Sequence, residues 1–249
     1  GRWLVGALQG NLGKSLWTDR SVGQYIRERV PVSAELGVMA LIAALLLALP
    51  VGIYSGIRQE TAGDYLGRTI SILAISVPSF WLGTLVIVYP AIWWGWSPPV
   101  QYISPFDNPL GNLAQFMLPA VIMGMVMSGT TMRLTRTMML EVLRQDYIRT
   151  AWAKGLAERV VVMRHALKNA LIPVVSMVGL LIPVTIAGSV VIETIFCLPG
   201  VGLLLIQAVN SRDYAIISGI NILLASFVLV TNLVVDISYA FLDPRIRYT

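Results

Sequence analysis

Five stretches of this chain, residues 36–57, 69–94, 110–132, 169–192 and 214–235, contain no Asp, Glu, Lys or Arg. At 1.5 Å per residue each is long enough to cross a hydrocarbon layer of about 30 Å as a helix. Hydrocarbon offers no partner to an exposed amide, so a segment that crosses it must satisfy its own backbone, and helices do so. The expected fold is therefore all-α, a polytopic helical membrane protein with five spans. Composition points the same way: 56% of residues are hydrophobic and only 12% charged, too few to build the polar shell a soluble domain of 249 residues needs. A sixth uncharged run, 194–211, is interrupted by Leu198-Pro199-Gly200 and again by Gly202, and reads as a re-entrant or surface-packed segment.

Five spans place alternate loops on opposite sides. One side collects twelve Lys and Arg residues, eight of them between Arg133 and Lys168, and the other collects six. The richer side is expected to be cytoplasmic, with the C-terminus there. The net charge of +5 follows from such loops, and nucleic-acid binding is not expected. The N-terminal tail, with Arg2, Lys14, Arg20, Arg27 and Arg29, then lies outside, and this reading expects one further span upstream of Gly1, six in all. Residues 1–33 form an external segment after that span. Residues 34–249 form the membrane domain, with a cytoplasmic loop at 133–168.

The spans hold Pro50, Pro78, Pro90, Pro119, Pro173 and Pro183 together with scattered Ser, Thr and Asn that can satisfy the carbonyls the prolines free. Gly52 and Gly56 form one GxxxG, which permits close helix approach. No ionisable residue lies inside a span, which argues against a secondary transporter with a proton relay. Glu193 and Asp236 fall at span ends, where headgroups and water are expected to solvate them.

Nothing in the chain reads as an enzyme. Gly13-Lys14-Ser15 resembles the end of a phosphate-binding loop, but Leu8 stands where the first glycine is required. His165 is the single histidine and Cys197 the single cysteine, so neither a histidine-cysteine metal centre nor an internal disulfide is expected. From Thr137 to Lys168 apolar residues become periodic: Leu140, Leu143, Tyr147 and Ala151, then Leu156, Val160, Met163 and Leu167. This predicts two amphipathic helices separated at Gly155, with Asp146 and Arg149 spaced for an ion pair. The segment fits either a helix pair lying on anionic membrane lipid or a docking surface for another protein.

The stretch DYIRTAWAKGL followed by RHALKNALIPVV resembles the cytoplasmic loop of ABC-importer permeases, specifically the peptide and nickel permease family. Arg149, Thr150 and Ala151 stand in the Glu-Ala-Ala places of the importer motif, Gly155 follows after three residues, and His165 to Lys168 stand in the closing Ile-x-Leu-Pro places. NLGKSL, SVPSFWLG, ETIFCLPGVGLLL, RDY and DPRIRY also resemble that branch, although Leu203 replaces an arginine frequent there. The resemblance implies the type I ABC importer transmembrane fold in a bacterial or archaeal cytoplasmic (inner) membrane. It implies a second related permease, two ATP-binding subunits that bind ATP and Mg in this chain's stead, and an extracytoplasmic solute-binding protein. Arg149, Thr150, Ala151, Lys154, Gly155 and Leu156, with His165 and Leu167, are then expected to meet the ATPase. Residues 18–29, 96–112 and 193–213 are expected to face the binding protein, with Glu193, Arg212 and Asp213 as candidate contacts. Peptides are the implied cargo, with nickel complexes and glutathione as alternatives. A lipid-binding membrane scaffold is the reading from another class.

Overall fold

The computed structural model describes residue 6, residues 10–99 and residues 101–242, with the side chains of 187, 188, 236 and 238–242 excepted. Arg2, Asp236 as a side chain, and DPRIRY with its Arg245 and Arg247 lie outside the described residues. In chain order the helices are α1 (Val22–Ile57), α2 (Ala62–Ser76), α3 (Ser79–Trp94), α4 (Pro109–Leu143), α5 (Asp146–Ala153), α6 (Glu158–Val160), a π-helical turn (Val161–Ala166), α7 (Leu167–Ile195), α8 (Val201–Asn210) and α9 (Tyr214–Leu242). No strand occurs among the described residues.

Four of the five expected spans are helices long and apolar enough to cross a membrane, and the fifth is two helices, α2 and α3, bent at the break between them. The expected 69–94 span is thus present as a bent pair, and Pro78, one of the prolines expected to interrupt the spans, is the reason. It lacks an amide to continue the helix and drives Val77 to extended dihedrals of −84° and 119°. In contrast, Pro90 and Pro119 are accommodated inside α3 and α4. The 194–211 run takes in the last two residues of α7 and, after a break, the ten residues of α8, about 15 Å of helix, too short to cross. α1 runs unbroken through residue 33. Its buried side is a line at four-residue steps, Leu36 and then the small Ala40, Ala44 and Ala48, while Val38, Ile42 and Leu46 are exposed to the surroundings.

The chain divides into two compact units, one of residues 1–40, 79–123 and 182–231 and the other of 41–78, 124–181 and 232–249. In the first, Val32, Leu36 and Ala40 of α1 pack on Phe116, Ala120 and Met123 of α4 and on Ile192, Phe196 and Leu198. A neighbouring cluster seats Val201, Leu204 and Ala208 of α8 against Val22 and Ile26 of α1 and Ile216 and Ile220 of α9. In the second unit, Met139 of α4 joins Ile148 and Ala151 of α5, Val161, Val162 and Ala166 of the π-helical turn and Ala170 of α7, with Ile53 and Ile57 of α1 against them. Gly52 and Gly56 make this packing close: a Cβ at Gly52 would stand 2.8 Å from the Met132 carbonyl, and one at Gly56 2.5 Å from Cβ of Met139.

Candidate functional site

The hydrophilic segment after α4 is built on the second unit's core. α4 continues to Leu143, well past its charge-free run, and then breaks at Arg144 and Gln145 before α5 begins. The single break expected at Gly155 is thus one of two. Asp146 opens α5, where a negative charge complements the helix N-terminus, and its Oδ1 accepts a long bond of 3.4 Å from Nη1 of Arg149. Both side chains are exposed, so this expected pair contributes only a few tenths of a kcal/mol, about 0.3. Ile148 and Ala151 point inward onto Met139 and are buried. Arg149, Thr150, Lys154, Gly155 and Leu156 are exposed on the outer side.

α5 ends because Gly155 enters the left-handed region at φ +75°, where its amide bonds to the Trp152 carbonyl at 2.9 Å. A Cβ built there would meet nothing within 4 Å. Within this chain, then, the glycine answers to the turn, and the space above it is open. Glu158 opens the next helix and its carboxylate meets Nη2 of Arg58, at the foot of α1, at 3.1 Å.

The π-helical turn that follows changes which apolar residues are buried. The amide of Leu167 bonds to the carbonyl of Val162, five residues back, so one extra residue is wound into the turn. Val161, Val162, Ala166 and Ala170 are buried as a result, whereas Val160 is 39% exposed and Met163 55% exposed. The stripe Leu156, Val160, Met163 that periodicity marks as an inner face is therefore exposed, and Tyr147 and Trp152 are also exposed. His165 and Leu167 are half-buried. The His165 carbonyl and the Tyr147 hydroxyl accept from Nδ2 of Asn169, at 3.2 and 2.8 Å. Of the eight residues marked from sequence, five share the outer surface, Ala151 supports α5 from beneath, and His165 and Leu167 sit at the margin of the core.

Beside this loop, the carboxylate of Asp64 is fully buried and held by two guanidinium forks. Arg136 of α4 donates through Nε and Nη2 at 2.7 and 2.8 Å, and Arg68, one turn along α2, donates to the same two oxygens. The Glu60 amide donates to Oδ2 as well. A carboxylate bonded this fully ties the first turn of α2 to α4 just after α4 leaves its charge-free run. Sequence reading passes over Asp64 because it falls outside every charge-free run. The signal was present: Thr61 caps α2 by accepting from the Asp64 amide, and Arg68 follows Asp64 by four residues.

In the first unit, the expectation that Glu193 is solvated at a span end is corrected: it is fully buried. Ser33 Oγ donates to its Oε1 at 2.6 Å, and Oε2 accepts the Leu203 amide at 3.0 Å, capping α8. The same Ser33 oxygen accepts the Val201 amide at 2.8 Å. The Leu-Pro-Gly-Val-Gly run is explained by this contact, because a Cβ at Gly200 would collide with Glu193 and Ser33, and one at Gly202 would stand 2.5 Å from Cα of Val190. Asp213 is buried too. Its Oδ2 accepts from Ser15 Oγ and from the Leu16 amide, and its Oδ1 caps α9 at the Ile216 amide. Glu193 and Asp213 therefore hold the segment together from inside, and of the three candidate contacts only Arg212 is exposed. Large apolar groups missed from sequence are exposed at the same turn: Tyr214 follows two residues later, and Leu16 and Trp17 are brought to it by the Leu16 amide bond to Asp213 and by Trp17 Nε1, which donates to the Ser211 carbonyl at 2.8 Å. Nearby in the same unit Tyr102 donates to Glu35 at 3.0 Å, and burial, with Glu35 second, pushes its hydroxyl up to about 12.

Residues 48–248 match the model of the binding-protein-dependent transport system inner membrane component family. An oligopeptide transport system permease protein of Bacillus subtilis is 39% identical over 251 residues, covering 99% of this chain and 79% of that protein. A dipeptide transport system permease protein of Escherichia coli is 35% identical over 269 residues, with the same coverage of 99% and 79%. Among solved structures, a chain from the crystal structure of an amino acid ABC transporter with histidines superposes with a TM-score of 0.66 at 12% identity, covering 87% of this chain and 94% of that one. At that identity the superposition speaks for the fold.

Proposed function

This chain belongs to the binding-protein-dependent transport system inner membrane component family and is a multi-pass permease subunit of an ABC importer with the type I transmembrane fold, and on that footing we propose that it carries peptides and is driven through α5. The observation that supports this best is the seating of α5. Its inner residues Ile148 and Ala151 are locked on Met139, while Arg149, Thr150, Lys154, Gly155 and Leu156 are left on the outside with Trp152 and Met163. A helix fixed beneath and bare above transmits force without absorbing it. Two ATPase subunits, binding ATP and Mg themselves, receive α5 on the cytoplasmic side, and their closure displaces α5 together with the end of α4 and the start of α6 as one body. A second related permease completes the path, and a solute-binding protein delivers cargo to the opposite face near Trp17, Arg212 and Tyr214. The basic-residue asymmetry of twelve against six supports this orientation, with the C-terminus cytoplasmic. The names of the relatives support a peptide cargo.

The test is reconstitution of the chain with its second permease, ATPase subunits and binding protein in proteoliposomes. Peptide-loaded binding protein is expected to stimulate ATP hydrolysis and drive peptide uptake. Stimulation by a nickel complex or glutathione, with none by peptides, overturns the cargo. Uptake by this chain without ATPase subunits overturns the coupling.

A further inference from the structure

The arginines that hold Asp64 also line a cavity on their other side. Arg68, Arg133 and Arg136 line a cavity of about 250 Å³ together with Ile72 and Thr137, and an adjoining one of about 500 Å³ shares Arg136 and Thr137 and is lined further by Glu141, Arg144 and Gln145, where the acid and the arginine offset each other. Asp64 supplies one negative charge to two guanidinium groups, which leaves one positive charge in excess. Arg133, exposed and in no ion pair among the described residues, adds another. Arg68 and Arg136 each spend Nε and Nη2 on Asp64, so their Nη1 groups have no acceptor among the described residues. Several guanidinium donors converging on one cavity suit an oxyanion with several acceptor oxygens, above all a phosphate.

The position of the cavity narrows the source of that phosphate. Arg68 directly precedes the charge-free run 69–94, and Arg133 directly follows 110–132, so both lie where a helix passes from hydrocarbon to water. On α2 the surface next to Arg68 is apolar and exposed, with Ile72 at 57% and Leu73 at 56%. A ligand that fills the cavity and also covers this strip has an anionic head and an apolar tail. We infer that Arg68, Arg133 and Arg136 form a binding site for the headgroup phosphate of an anionic phospholipid, which braces α2 against α4. The inference needs only that these helices cross a bilayer and is independent of the cargo and of ATP coupling.

The intact importer complex in nanodiscs tests it, with native mass spectrometry reading retained lipid and thermal denaturation reading stability. Phosphatidylglycerol is expected to stay bound in preference to phosphatidylcholine and to raise the melting temperature. Arg133→Gln, which leaves the Asp64 bonds untouched, is expected to weaken phosphatidylglycerol retention about five-fold, the effect of one basic residue near an anionic surface. Arg133→Lys, which keeps the charge and loses the fork, falls between. Equal retention of the two lipids, or unchanged retention in Arg133→Gln, overturns the site. If millimolar inorganic phosphate in pure phosphatidylcholine discs reproduces the stabilisation, the site belongs to free phosphate and the lipid assignment fails. Loss of the second permease from the Arg133→Gln complex makes the cavity a protein interface, which overturns it equally.

Discussion

Replacing Gly155 separates two reasons for a glycine, the turn it makes and the approach it permits. At φ +75° a substituted L residue costs about 1–2 kcal/mol, least for Asn and most for a β-branched residue. The open space around its Cβ adds no steric cost inside this chain. Gly155→Asn is therefore expected to leave insertion and melting temperature almost unchanged, and Gly155→Val to lose about 1–2 kcal/mol confined to the end of α5. In the complex the two converge. If an ATPase surface lies against Lys154 to Leu156, either side chain enters it, and overpacking of about 1–3 kcal/mol weakens association roughly five- to hundredfold. The assay is ATPase co-purification with this permease, followed by binding-protein-stimulated hydrolysis and uptake in proteoliposomes. Hydrolysis without matching uptake in both variants is expected. Wild-type uptake by Gly155→Asn would show that the glycine serves only the turn, and wild-type uptake by Gly155→Val as well would refute docking at this loop.

Three further outcomes follow from the packing. Asp64→Ala leaves Arg136 and Arg68 without their shared partner; because the Arg68 side chain is 40% exposed and water can solvate it, detergent melts should show a loss of about 1–3 kcal/mol, still more than an exposed pair such as Asp146 and Arg149 yields on Asp146→Ala. Ser33→Ala removes the bonds to both Glu193 and the Val201 amide and should cost about 1–3 kcal/mol, read as earlier proteolysis around α8. Met163→Glu should melt within about 0.5 kcal/mol of wild type yet weaken ATPase association, whereas Val161→Glu, two residues away, should prevent folding of the loop; equal melting of the two would contradict the burial pattern.

The helices were legible because desolvation leaves a signature no longer than the segment itself: a run without charge predicts its own span. The importer motif was legible for the same local reason, since three residues, a spacing and Gly155 can be read along the chain. Contacts between distant residues were not. Asp64 and Arg136 are 72 positions apart, and nothing at either position announces the other. Glu193 looked like a solvated span end because its partner Ser33 lies 160 residues earlier. Pro78 was legible as an interruption, but its severity was not, because a proline inside a long apolar run has two outcomes, accommodation as at Pro119 or a break, and packing decides between them.

The π-helical turn at Val161–Ala166 has a further consequence as a phase shift in the hydrophobic pattern. Successive residues of a helix are separated by about 100° around its axis, so one residue wound in or out rotates everything upstream by that angle. Upstream of the turn the apolar stripe begins at Leu156 and Val160; at the turn a second begins at Val161 and Val162, out of phase with the first. The inserted residue commits the second stripe to the interior and frees the first. Deleting one residue between 161 and 166 would return the turn to an ordinary α-helix and rotate Glu158–Val160 by about 100°. Loss of a single codon would thus swing the outer apolar residue Val160 by a little more than a quarter turn while leaving the loop's composition nearly the same.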